Sequence, residues 1–128
     1  MLTPIQAKPI MGRLTTHVLD TVAGTPAPGL AITLFALDAD GSRRQIKAVR
    51  TNHDGRVDAP LLEGDGFKAG TYELQFDVAA YFAATGTAQA SPPFLDIVPL
   101  RFTVADASLH YHVPLLVSPW SYSTYRGS

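Results

Sequence analysis

Four histidines, His17, His53, His110 and His112, are the side chains of this sequence best suited to proton chemistry near neutral pH. His17 falls in the alternating stretch LTTHVLD. His110 and His112 alternate in LHYHVPLLVS, so in an extended strand they project from one face. That face also carries Pro114, Leu116 and Ser118, while Tyr111, Val113, Leu115 and Val117 make a clean apolar face opposite. Two readings are open to such a set. The imidazoles can be ordinary polar groups on the solvated side of a sheet, or His-x-His with a distant His17 can offer three nitrogens to zinc. Arg56 follows the turn TNHDG. It is either a solvated turn cation or a fixed guanidinium whose planar fork holds an anionic or carbonyl-rich ligand. His53, on the tip of the same turn, reads as solvated. No G-x-S-x-G elbow supports a Ser/His/Asp triad, and GTPAPG lacks the lysine and the following helix of a phosphate loop.

The elements that must position these residues are strands. TYELQFDV places Tyr72, Leu74, Phe76 and Val78 on one face, with Thr71, Glu73, Gln75 and Asp77 on the polar one; LRFTVAD alternates Leu100, Phe102 and Val104 against Arg101 and Thr103. LAITLFALD and QIKAVRT read as a hairpin closed at Asp40-Gly41. RLTTHVLD and LHYHVPLLVS open and close the set, and GRVDAPLL is a weaker strand candidate. Only DVAAYFAAT, over Asp77–Thr85, has the alanine-rich character of a short helix. Seven or eight short strands separated by Gly/Pro/Asn/Asp turns predict an all-β, two-sheet sandwich. Because proline cannot donate to a ladder, Pro114 predicts an edge position or bulge for the last strand, whose half-apolar second face then suits a subunit contact. Residues 12–128 read as a single domain, preceded by a flexible arm, extended or disordered, over residues 1–11.

Composition narrows the classes further. The formal net charge is -1 and no segment concentrates Lys and Arg, so nothing electrostatic invites nucleic acid or an anionic membrane. Cysteine is absent, which excludes disulfides and thiolate metal sites. No apolar run reaches the roughly 18–20 residues of a membrane span, and MLTPIQAKPIMGR has no basic start leading into an apolar core, so a cytoplasmic protein is the expectation. Hydrophobic residues are 46% of the chain and charged ones 16%, against about 25% in an average domain. So little solvating charge on a small domain predicts apolar surface buried against another subunit.

Three stretches, GRLTTHVLDTVAGTPAPGL (12–30), TNHDGR (51–56) and HYHVPLLVSPWSYSTYRGS (110–128), closely resemble the transthyretin-like family in its 5-hydroxyisourate hydrolase branch. The resemblance runs from Gly12 to Ser128 and includes YFAATG and PPFLDIVPLRF. The closing YRGS discriminates, since hormone-carrying transthyretins lack it and continue past that point. The resemblance implies a prealbumin-like sandwich of two four-stranded sheets with one short helix. It also implies a homotetramer with a central channel at the dimer–dimer interface that holds the active sites. It implies that His17, Arg56 and His112 are catalytic, and that Tyr125, Arg126, Gly127 and Ser128 bind substrate, with Ser128 and its carboxylate beside the site. No metal or other cofactor is implied. The reaction implied is hydrolysis of 5-hydroxyisourate to 2-oxo-4-hydroxy-4-carboxy-5-ureidoimidazoline in urate catabolism: imidazole activates the water and Arg56 stabilises the oxyanion. The rival is a small-molecule carrier that uses the same channel, as transthyretin does. Trp120 departs from the tyrosine usual in SPWSYS, which bears on local packing.

Overall fold

Period-two alternation becomes strand almost wherever the sequence predicts it. The computed structural model describes residues 12–128; the expected arm over residues 1–11 lies outside the described residues. In chain order the elements are β1 (Arg13–Asp20), β2 (Thr25–Pro26), β3 (Ala31–Leu37), β4 (Arg43–Arg50), β5 (Leu62–Glu63), β6 (Gly70–Asp77), α1 (Val78–Thr85), β7 (Ile97–Val104), β8 (Tyr111–Val117) and β9 (Tyr122–Thr124). One sheet runs β2-β1-β8-β9, with β5 also pairing β1; the other runs β4-β3-β6-β7. The core lies between them. Leu14, Val18, Val113 and Leu115 face Ile32, Leu34, Leu74, Phe76 and Leu100, all buried. Each such side chain removed from water contributes about 1.5–3 kcal/mol.

The β3–β4 hairpin forms as predicted, closing over Asp38–Ser42 with Gly41 at φ +87. The helix begins one residue after the predicted stretch does. Asp77 is its N-cap, accepting from the Ala80 N–H, and Gly86 ends it in the left-handed conformation. Val78, placed by alternation on the β6 face, is therefore the first helical residue, though still buried. Tyr81 of α1 ties the helix to the end of β1 by donating to the buried Asp20 carboxylate at 2.8 Å.

Three expectations need correction. GRVDAPLL is not a strand: Arg56 makes a single bridge to β1, bent irregular backbone follows, and regular pairing resumes only at Leu62–Glu63. Glu73 keeps to the polar face but is not exposed there; Arg43 at 2.9 Å, Arg101 at 3.2 Å and Gln75 at 2.8 Å cover its carboxylate, and it is 4% exposed. Finally, β8 is not an edge strand. It lies between β1, in parallel register, and β9. The missing donor of Pro114 acts differently. β9 pairs Leu115↔Thr124 and the same register returns at His112↔Gly127, so the ladder is interrupted opposite Pro114 and Val113 and then resumes.

Candidate active site

Parallel pairing of β1 with β8 sets Thr15 opposite His112 and His17 opposite Pro114. These residues lie on the outward face of the sheet, because Leu14, Thr16, Val18, Tyr111, Val113 and Leu115 take the inward positions. From the other side of β1, an isolated antiparallel bridge joins Arg56 to His17, which puts their side chains on one face. Two adjacent rows result. One holds Thr15, His112 and Gly127; the next holds Arg56, His17 and Pro114.

The loop that delivers Arg56 is held by its own short polar side chains. Asn52 Oδ1 accepts from the N–H groups of Asp54 and Arg56 at 2.9 and 3.1 Å, and its amide donates to Asp58 at 2.9 Å. The buried Thr51 hydroxyl donates to the Ala27 carbonyl and accepts from the Leu30 N–H. Gly55, at φ +72, lies so close to β1 that a Cβ there would meet the Val18 carbonyl at 2.4 Å; its own carbonyl accepts from the Val18 N–H. His53 is exposed at the tip, 3.4 Å from the Asp54 carboxylate, as the sequence predicts.

The two half-buried imidazoles are held in different ways. His17 Nε2 lies 2.9 Å from the Asp54 carbonyl oxygen. A carbonyl can only accept, so Nε2 carries the hydrogen and the lone pair of neutral His17 is on Nδ1. His112 Nδ1 lies 2.8 Å from Thr15 Oγ1, which leaves Nε2 for the cavity. Burial first, then the Arg56 guanidinium, hold His17 below the ordinary histidine range, partly offset by the Asp54 carbonyl. Burial, Arg56 and then His17 act in the same direction on His112. Both rings are therefore neutral near pH 7 and able to accept a proton.

Arg13, Thr15, Arg56, His110, His112 and Ser128 line an open concavity of about 420 Å³. His17 borders it through Arg56 and acts on His112 electrostatically. Among the described residues, neither Arg13 nor Arg56 forms an ion pair. No three His, Asp or Glu side chains among them converge as metal ligands, so the three-imidazole zinc arrangement is not formed. His110 is exposed just before β8, and its carbonyl accepts from Arg126.

The structure divides the YRGS ending. Gly127 pairs with His112 through two backbone hydrogen bonds, 2.7 and 3.1 Å, and Ser128 reaches the concavity. Tyr125 and Arg126 instead line an apolar slot at the β7/β9 side, where the Arg126 guanidinium stacks 4.4 Å over the Tyr111 ring. Trp120 is exposed and stacks on Phe94 at 6.4 Å. Sequence reading missed Thr15, Arg13 and the Asp54 carbonyl. Period two places the first two on the His17 face, but their role depends on a β1–β8 pairing that spans 97 residues.

Comparison with known proteins adds a lineage to this geometry. The chain is 67% identical over 118 residues to the 5-hydroxyisourate hydrolase of Ralstonia nicotianae, covering 92% of this chain and 100% of that relative. Among solved structures, (S)-allantoin synthase superposes with a TM-score of 0.88 at 48% identity, over 92% of this chain and 44% of that one. Sea bream transthyretin in complex with thyroxine superposes at 0.80 with 32% identity, over 90% and 94%. The sandwich is thus transthyretin-like. The HIUase/Transthyretin family model matches residues 14–127, and the chain belongs to that family.

Proposed function

We propose that this chain is a hydrolase that opens a cyclic amide C–N bond of 5-hydroxyisourate, the compound named in its relatives. One observation carries the reading. Two imidazoles with lowered pKa values and a guanidinium, from three separate segments, meet on one sheet face beside an open concavity. In this mechanism the Nε2 lone pair of His112 takes a proton from water as its oxygen attacks the ring carbonyl. The developing oxyanion lies against Arg56, whose fixed charge stabilises it. As the tetrahedral intermediate collapses, the ring nitrogen leaves with the proton returned by the His112 imidazolium, yielding an N–H and a carboxylic acid that loses its proton to solvent. His17, beside Arg56 and with its Nδ1 lone pair free, orients the water.

Ser128 touches substrate in this reading. Tyr125 and Arg126 act at one remove, anchoring the ending against Tyr111 so that Gly127 stays docked on His112. The chain works as a homotetramer whose sites face the dimer–dimer interface. The one-sided concavity and the exposed Val22, Phe94, Trp120, Tyr122 and Tyr125 side chains support such burial. No helix among the described residues is long and apolar enough to cross a membrane.

Following the absorbance of freshly generated 5-hydroxyisourate, with and without protein, tests the proposal. Faster decay that depends on His112 is expected. Decay at the spontaneous rate, together with stoichiometric binding of a ligand such as thyroxine, would replace the hydrolase with a carrier. Sedimentation velocity tests the tetramer separately.

A further inference from the structure

We propose that Thr15 is a positioning residue for His112, whose hydroxyl accepts the Nδ1–H of the ring and so presents an unprotonated Nε2 to the cavity. The kinetic consequence rests on the hydrolase reading above; the orientation of the ring does not.

Thr15 Oγ1 lies 2.8 Å from His112 Nδ1, between residues opposed in the β1–β8 ladder. Among the described residues this is the only hydrogen bond of that hydroxyl, whereas the next hydroxyl along, on Thr16, points inward and donates to the Val113 carbonyl at 2.7 Å. A β-branched side chain on a strand has few χ1 choices, so the Thr15 oxygen is preset before the ring arrives. Gly127 packs against the Cβ and Cδ2 side of the imidazole, which leaves the ring little room to turn over.

The choice of a hydroxyl has a chemical reason. A base poised near neutral pH needs an orienting partner on its far nitrogen, and many catalytic histidines use a carboxylate. A carboxylate raises the pKa of the ring it holds. A neutral hydroxyl can accept the Nδ1–H and orient the ring without that effect, so His112 can stay unprotonated beside Arg56. The charged and titratable groups facing His112 are His17 and Arg13 of β1, Arg56 of the 51–56 loop, His110, and the carboxyl end of the chain at Ser128. Most are cationic or can become so, and Thr15 adds no charge to oppose them.

Three substitutions and one spectroscopic measurement test this. Thr15→Val keeps the branched shape and removes the acceptor; kcat is expected to fall about 10²-fold, the scale set by a misplaced catalytic group, with KM little changed. Thr15→Ser is expected to recover most of that loss. Thr15→Asp is expected to move the acid limb of the kcat profile about one to three pH units upward, as a carboxylate beside an imidazole does. Long-range proton–nitrogen NMR of the native protein should show His112 protonated at Nδ1, with that preference lost in Thr15→Val. Native kcat in Thr15→Val, equal impairment of Thr15→Ser and Thr15→Val, or an unmoved acid limb in Thr15→Asp would each overturn the proposal. If the native protein fails to hydrolyse 5-hydroxyisourate, the hydrolase reading falls. The NMR result then decides the Thr15 claim alone, and an Nε2–H tautomer refutes it.

Discussion

Gly127 is the residue at which a single methyl group should separate folding from catalysis. A Cβ built there would lie 3.0 Å from His112 Cβ and 3.2 Å from Cδ2, where ordinary contact begins near 3.4 Å. Something must give by about 0.4 Å. Gly127 and His112 exchange two backbone hydrogen bonds, so the strands cannot simply drift apart at this point. If the imidazole yields, it moves off its line to Thr15 and to the cavity. A catalytic group displaced by 1 Å can cost about 10²-fold, so a 0.4 Å shift corresponds to about a sixfold loss in kcat for Gly127→Ala. If the ending yields instead, the bonds to His112 weaken at about 0.5–1.5 kcal/mol each, and Ser128 withdraws from the concavity. Both routes lower turnover, and Gly127→Val should lower it further. The fold should hardly change, because residues 122–127 flank the sheet outside the core cluster. Progress curves on 5-hydroxyisourate give kcat and KM, and thermal unfolding reports the fold. Native kcat in both Gly127 variants, with the His112 ring resonances unmoved, would refute the claim that this close approach sets the geometry of the base.

Replacing His17 or His112 by alanine should reduce turnover about 10²–10⁴-fold without unfolding the domain, as loss of an acid–base group does; native turnover in either variant would remove that residue from the mechanism. Arg56→Gln should lower kcat about 10²–10³-fold. It should also move the acid limb of the pH–rate profile upward, because Arg56 helps hold both imidazoles below the ordinary histidine range and its removal lets them rise. A downward shift would mean that the guanidinium does not act on these rings. Tyr81→Phe leaves the buried Asp20 carboxylate with only the Val22 and Ala23 N–H groups. Urea titration should register a loss of about 1–3 kcal/mol, with activity per folded molecule unchanged. Gly55→Ala combines a left-handed φ with a 2.4 Å approach to the Val18 carbonyl, so it should cost more than about 1 kcal/mol and also reduce kcat by displacing Arg56.

Much of this molecule is local and therefore legible in its sequence. Alternation in RLTTHVLD, TYELQFDV and LHYHVPLLVS set which residues face the core, since side chains on a strand change sides at every step. Asp40-Gly41 marked the hairpin, and the alanine-rich run Asp77–Thr85 marked the helix. The residue types His17, Arg56 and His112, with the YRGS ending, pointed to the family and to hydrolytic chemistry.

What depended on pairing was decided only by the tertiary structure. Proline told of a missing donor but not where the ladder would absorb it, so β8 proved interior, with the gap falling opposite Pro114. Alternation assigned Glu73 to a polar face but could not see Arg43 and Arg101 closing over it from neighbouring strands. The ending read as a unit, yet Gly127 and Ser128 went to the histidine face and Arg126 to the Tyr111 ring. Alternation put Thr15 on the His17 face and Thr16 on the core face, but nothing in the sequence named the partner of either hydroxyl. The parallel register of two strands 97 residues apart gave its hydroxyl to His112, because strand order is set by which apolar faces bury together and not by any local residue.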